Sequence, residues 1–88
     1  MVGKILDFAA CFGKVLRRLR KRAQLTQEQL GFESGLERNF ISMLELGQRQ
    51  PSLHTLFKLS TALGMSPVIF VREIDIELQS LQNENITD

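Results

Sequence analysis

Helix-start and helix-stop signals follow one another so closely along this chain that no long element fits between most of them. Thr26 stands three residues before Gln29, the pattern of a capping box. Gly35 is a natural left-handed stop for the helix that this box opens. A third segment runs from about Glu37 to Leu46 and closes at Gly47. QRQPS is polar, contains Pro51 and reads as a loop. Ser52 then caps LHTLFKLSTALG, which ends at Gly64, with Leu53, Leu56, Leu59 and Leu63 as its apolar stripe. Ser66-Pro67, a cap followed by Pro at the first helical position, opens a fifth helix. Upstream, Phe12, Leu16, Leu19 and Ala23 recur at spacings of four, three and four, one face of a first helix that ends near Ala23–Leu25. Ile5, Phe8 and Ala9 extend that stripe backwards, with Asp7 as an alternative cap. Period-two alternation of useful length is absent, so the expected fold is all-α.

Composition narrows the chemistry. With 88 residues there is room for one core. The single cysteine, Cys11, excludes an internal disulfide and a cysteine zinc site. The single histidine, His54, leaves most acid–base schemes without a partner. No catalytic set, metal site, cofactor or small-molecule ligand is expected, and the chain does not read as an enzyme. No apolar run is long enough to cross a membrane. The opening MVGKILDFAACFGK is too soon interrupted by charge for a secretory signal, so the expected home is the cytoplasm. Cys11 reads as a small buried hydrophobe and His54 as a solvated residue.

Charge is unevenly spread. Residues 1–71 carry ten Lys/Arg against five acids, whereas residues 72–88 carry one Arg against five acids. The densest basic stretch, KVLRRLRKRAQ, holds Lys14, Arg17, Arg18, Arg20, Lys21 and Arg22. A solvated helix face explains such a run as well as a nucleic-acid surface does.

The second and third segments make a helix, a tight turn and a helix. Neither is stable alone in water, so the first and fourth helices must cover their apolar sides. Leu30 and Ser34 face inward on the second, Ile41 and Leu44 on the third, and Leu36 plugs the turn. Arg38, Asn39, Ser42, Met43 and Leu46 are left on one outward face of the third. A major groove about 12 Å wide admits one helix, and Arg and Asn suit guanine and adenine edges. A plain bundle face would carry more Glu and Lys.

TQEQLGFESGLERNFISMLELGQRQPSLHTLFKLSTALGMS resembles the helix-turn-helix domain of the lambda-repressor and Cro superfamily, over roughly residues 12–70. Within it, GLERNFISMLELGQRQPS is most similar to restriction–modification controller proteins. The resemblance implies five helices, a DNA-binding domain over residues 1–70 with its motif at about 26–46, and double-stranded DNA as partner. It implies base contacts from Arg38, Asn39, Phe40, Ser42 and Met43, and phosphate contacts from Gln27, Arg17, Gln48 and Arg49. Phe40 departs from the aromatic hydroxyl common at this place, and a core or dimer contact stands beside the DNA reading. Arg20 and Glu45 match a pair that joins the first and third helices in phage repressors. Glu37 repels phosphate where it stands; it suits a capping role, or failing that an acceptor for cytosine.

Residues 71–88 read as a C-terminal helix with an acidic tail. Val71, Ile74, Leu78 and Leu81 are spaced as a short heptad seam, for a homodimer or for a helix folded back on its own core, and both hold if the first half packs inward and the second half pairs with a partner. A two-fold dimer sets two reading helices about 34 Å apart, which suits a pseudo-palindromic operator. Residues 82–88, QNENITD, read as a frayed end. The rival to a DNA-reading regulator is a protein-interaction module, favoured by Phe40, Met43 and Leu46 beside Glu33 and Glu37.

Overall fold

Asp7 begins the first helix, its Oδ1 accepting from the Ala10 N–H at 3.0 Å. The computed structural model describes residues 7–86, with side chains as far as Leu81, so Ile5 lies outside the described residues. Five helices follow in that span: α1 Phe8–Arg22, α2 Gln27–Ser34, α3 Arg38–Glu45, α4 Leu53–Ala62 and α5 Pro67–Ile86. The starts follow the local chemistry. Thr26 and Gln29 complete both halves of the capping box, at 3.0 and 2.8 Å. The Ser52 hydroxyl accepts from the Thr55 N–H, and the Ser66 hydroxyl from that of Val68. Gly35 ends α2 at φ +75°, where a Cβ would be strained.

Two local expectations are corrected. Glu37 takes the N-cap position of α3 in extended backbone, yet its carboxylate makes no capping hydrogen bond. α3 is also shorter than Glu37–Leu46, because the backbone leaves the helix after Glu45. The last helix continues to Ile86, into the QNENITD segment. The α1–α2 turn holds a surprise: Gln24 adopts φ +62°, a left-handed conformation uncommon outside glycine. It lets the Leu25 N–H reach the Arg20 carbonyl at 3.1 Å and redirects the chain into the Thr26 cap.

Phe12, Val15, Leu16, Leu30, Ile41, Leu44, Leu59 and Phe70 form the centre of the core. Phe12 and Phe70 stack with centroids 5.4 Å apart and planes 13° from parallel, which ties α1 to α5. α1 lies between α3 and α5, and α2 bridges α3 and α4. α5 crosses residues 70–71 without a break, with Phe70 and Ile74 both buried. Gly13 lies in α1 where that helix meets α3. A Cβ there would sit 2.3 Å from the Leu44 carbonyl oxygen and 2.6 Å from that of Glu45. The two backbones therefore touch, a distance only glycine permits.

The α4 stripe is only partly inward. Leu56 and Leu59 are buried and Leu63 is half-buried, but Leu53 is 70% exposed. Ser60 fills its place on the buried side, its hydroxyl donating to the Leu56 carbonyl at 2.8 Å. Among the described residues no helix is long and apolar enough to cross a membrane.

Candidate nucleic-acid interface

α3 presents its first turn to solvent. Ile41 and Leu44 anchor it in the core, leaving Arg38 and Asn39 exposed at its N-terminus. Ser42 and Met43 are half-buried along the same side, and Leu46 is exposed just beyond it. Phe40 is half-buried against the core, and the Arg49 guanidinium lies 5.7 Å from its ring centroid. That cation–π contact attaches the loop that follows α3 back to the helix's first turn. Gln48 and Arg49 both remain exposed.

Behind α3 stands a fork. Arg20 Nε and Nη2 donate to the two carboxylate oxygens of Glu45 at 2.6 and 2.9 Å. Its Nη1 donates to the Leu25 carbonyl at 2.9 Å. The two side chains are only 10% and 3% exposed. The hydrogen bonds to Glu45 hold the Arg20 guanidinium above its already high ordinary pKa, with burial opposing them. Bidentate pairing sets angle as well as distance, so α3 is oriented on α1 by two parallel bonds. Gln27 joins the fork, its Nε2 donating to Glu45 Oε1 at 3.0 Å. This link is not visible in the sequence, and it revises the expected role of Gln27. Part of the side chain's donor capacity is already engaged, and the backbone offers the rest. The capping box engages the Gln29 N–H, whereas the N–H groups of Gln27 and Glu28 have no intrahelical acceptor. Gln27 also lines a cleft of about 220 Å³, with Arg17, Arg20, Ser42, Glu45 and Leu46. A helix N-terminus beside an exposed Arg17 suits an anion such as a phosphate.

The basic run divides in two. Lys14 Nζ lies 3.0 Å from Glu77 Oε2, and Arg18 reaches Glu77 at 3.2 Å and Glu73 at 3.4 Å. Both basic positions and both acidic ones are four apart, so the acidic tail is a strap onto the basic helix. Lys14, then burial in opposition, then Arg18 set the Glu77 carboxyl, which lies below its ordinary pKa. Arg17, Lys21 and Arg22 are in none of these pairs and stay exposed. The opposite charge surpluses of the two segments were the available signal for this contact.

Of the expected dimer residues, Val71 is exposed, while Leu78 and Leu81 are half-buried against their own core. Ile74 is 5% exposed and closes that core, so it is not available to a partner; the folded-back alternative holds for it. Its carbonyl receives the Cys11 thiol at 3.8 Å, and burial pushes that thiol's pKa up. His54 is exposed. Phe32 went unremarked in the sequence, and the structure leaves it 87% exposed on the outer side of α2. No group of three or more His, Cys, Asp or Glu among the described residues could hold a metal ion.

A family model described as Helix-turn-helix matches residues 16–70. The uncharacterized HTH-type transcriptional regulator y4dJ of Sinorhizobium fredii is 39% identical over 70 residues, covering 80% of this chain and 91% of that protein. Among solved structures, the restriction–modification controller protein C.AhdI from Aeromonas hydrophila is 44% identical, with a TM-score of 0.67 over 75% of this chain and 94% of that one. The controller protein C.Esp1396I, solved as a tetramer in complex with its natural 35 base-pair operator, is 26% identical, with a TM-score of 0.77 over 82% of this chain and 95% of that one. A family match over that span, on helices assembled as described, makes this protein a member of the helix-turn-helix family, to which its regulator and controller relatives also belong.

Proposed function

We propose that this protein is a cytoplasmic transcriptional regulator that reads double-stranded DNA as a homodimer on a pseudo-palindromic operator, and that it controls a restriction–modification system. The carrying observation is that Arg38 and Asn39 are free at the start of a helix whose other side is anchored in the core. Phosphates seat on the Gln27 and Glu28 N–H groups beside Arg17, and Gln48 and Arg49 hold the far backbone. These contacts set register, while Arg38, Asn39, Ser42 and Met43 carry sequence discrimination. Phe40 contributes an apolar edge and keeps Arg49 in position. The operator complex of C.Esp1396I supports an oligomer on DNA. No step of this function calls for a catalytic group or a cofactor.

The test is a gel shift on the DNA upstream of this protein's own coding sequence. An inverted repeat there should be bound in preference to random duplex, with affinity falling steeply as salt rises. Arg38→Ala should lower that preference by about 1–3 kcal/mol while leaving the salt-dependent background nearly intact. Equal binding of operator and random DNA by the unmodified protein ends the reading. A second reading, a protein-interaction module, is favoured by one observation: Phe32 stands 87% exposed with Glu28 and Glu33 on the same short helix. Under it, Arg38→Ala leaves partner binding unchanged.

A further inference from the structure

We infer that Lys14 and Arg18 are two further contacts to DNA phosphates, and that Glu73 and Glu77 compete with the DNA for them. The inference rests on the DNA reading above and adds to it a surface on α1 and a brake on that surface.

Lys14 and Arg18 are four residues apart on α1, and Arg17 and Lys21 form the neighbouring row. All four line an open cleft of about 520 Å³ between α1 and the end of α3. Among its lining residues Glu45 is the one acid, and that carboxylate is 3% exposed and bound to Arg20. The cleft is therefore strongly cationic. It adjoins the smaller cleft that Gln27 lines, for the two share Arg17, Glu45 and Leu46. On α3 and just past it, Arg38, Ser42 and Leu46 follow at intervals of four. The face that carries Arg38 thus leads into both clefts.

A phosphodiester backbone carries a charge at every nucleotide, and four cations along one cleft match it. Arg17 and Lys21 enter none of the ion pairs to α5 and are engaged first. Lys14 and Arg18 stand between two anions. On one side Glu77 and Glu73 hold them, at 3.0 to 3.4 Å, and on the other lies the cleft. The pairs are weak, because Lys14 is 65% and Arg18 36% exposed and water screens them. A phosphate in the cleft takes the two side chains only by displacing the acids. The strap therefore lowers the number of phosphates that α1 neutralises, without touching Arg38 or Asn39.

Binding of the full chain to a random duplex, followed by fluorescence anisotropy over a salt series, tests this. E73Q/E77Q should bind more tightly at low salt. Its log affinity should fall more steeply with log salt, by about 0.9 for each cation released. D75N removes an acid of the same helix that holds neither cation, and it should leave the slope at the parent value. Adding K14Q/R18Q to E73Q/E77Q should return the slope to that of the parent. An unchanged slope in E73Q/E77Q overturns the inference. So does a D75N slope as steep as that of E73Q/E77Q, which would mean net charge alone, or a fourfold variant that stays steep. Operator preference is not read in this assay, so failure here is distinct from failure of the DNA reading. That reading falls if the unmodified chain binds operator and random duplex equally, whatever the strap variants show.

Discussion

α1 meets α3 on one side and α5 on the other, and the two contacts are made of different materials. Against α3, Gly13 brings backbone onto backbone, and the Arg20–Glu45 fork is almost wholly buried. Against α5, an aromatic stack lies at the base while Lys14 and Arg18, 65% and 36% exposed, reach over the surface to Glu73 and Glu77. The first contact determines angle, because bidentate bonds and touching carbonyls have no slack. The second supplies apolar burial and leaves its polar part screened by water. The helix that presents Arg38 and Asn39 is thus on the side of α1 where the contact fixes orientation.

Removing the buried fork breaks this contrast most severely. Glu45→Ala leaves the Arg20 guanidinium buried without its anion and frees Gln27, and it should cost about 3–5 kcal/mol in urea denaturation. Next in size, Gly13→Ala drives a methyl group into the Leu44 and Glu45 carbonyls and should cost about 1–3 kcal/mol. A Gly13→Ala protein that still folds should lose operator preference more than random-DNA affinity, because α3 is displaced while the charges remain.

The strap on α5 should respond to acid by less. The lowered Glu77 pKa means the folded protein binds fewer protons there than the unfolded chain does. Its stabilisation is therefore fully present above the ordinary glutamate value of 4.5 and fades as pH falls through the lower folded value. Urea titrations run from neutral pH to below 4.5 should show the parent converging on Glu77→Gln, which lacks this dependence. Smallest of all, Lys14→Ala removes one end of an exposed pair and should cost about 0.5 kcal/mol, vanishing at high salt. A Lys14→Ala loss as large as that of Glu45→Ala would erase the distinction between the two sides of α1.

Local chemistry made much of the fold legible. The Thr26–Gln29 box, Gly35 and the Ser52 and Ser66 caps act within a turn of themselves, so their effect can be read without knowing the fold. The Arg20–Glu45 pair was legible only through the family resemblance, since twenty-five residues separate its members. Gln24 carried no signal, because its left-handed backbone is imposed by the α1–α2 turn and not by its side chain. Leu53 departs from its expected inward position, and Ile74 takes the folded-back one of its two expected places, for one reason. Helical spacing says that residues share a face, but not whether that face meets the same chain's core, a second copy or water.

The order of the helices, the capped starts of α2, α4 and α5 and the outward position of Arg38 and Asn39 were determined by the sequence alone, because caps and 3.6-residue periodicity act over a few residues. Packing decided the rest: how α3 is set on α1, which basic residues are tied to the acidic tail, and which apolar residues stay uncovered. Those outcomes depend on distances between segments remote in sequence, and only the folded chain brings such segments together.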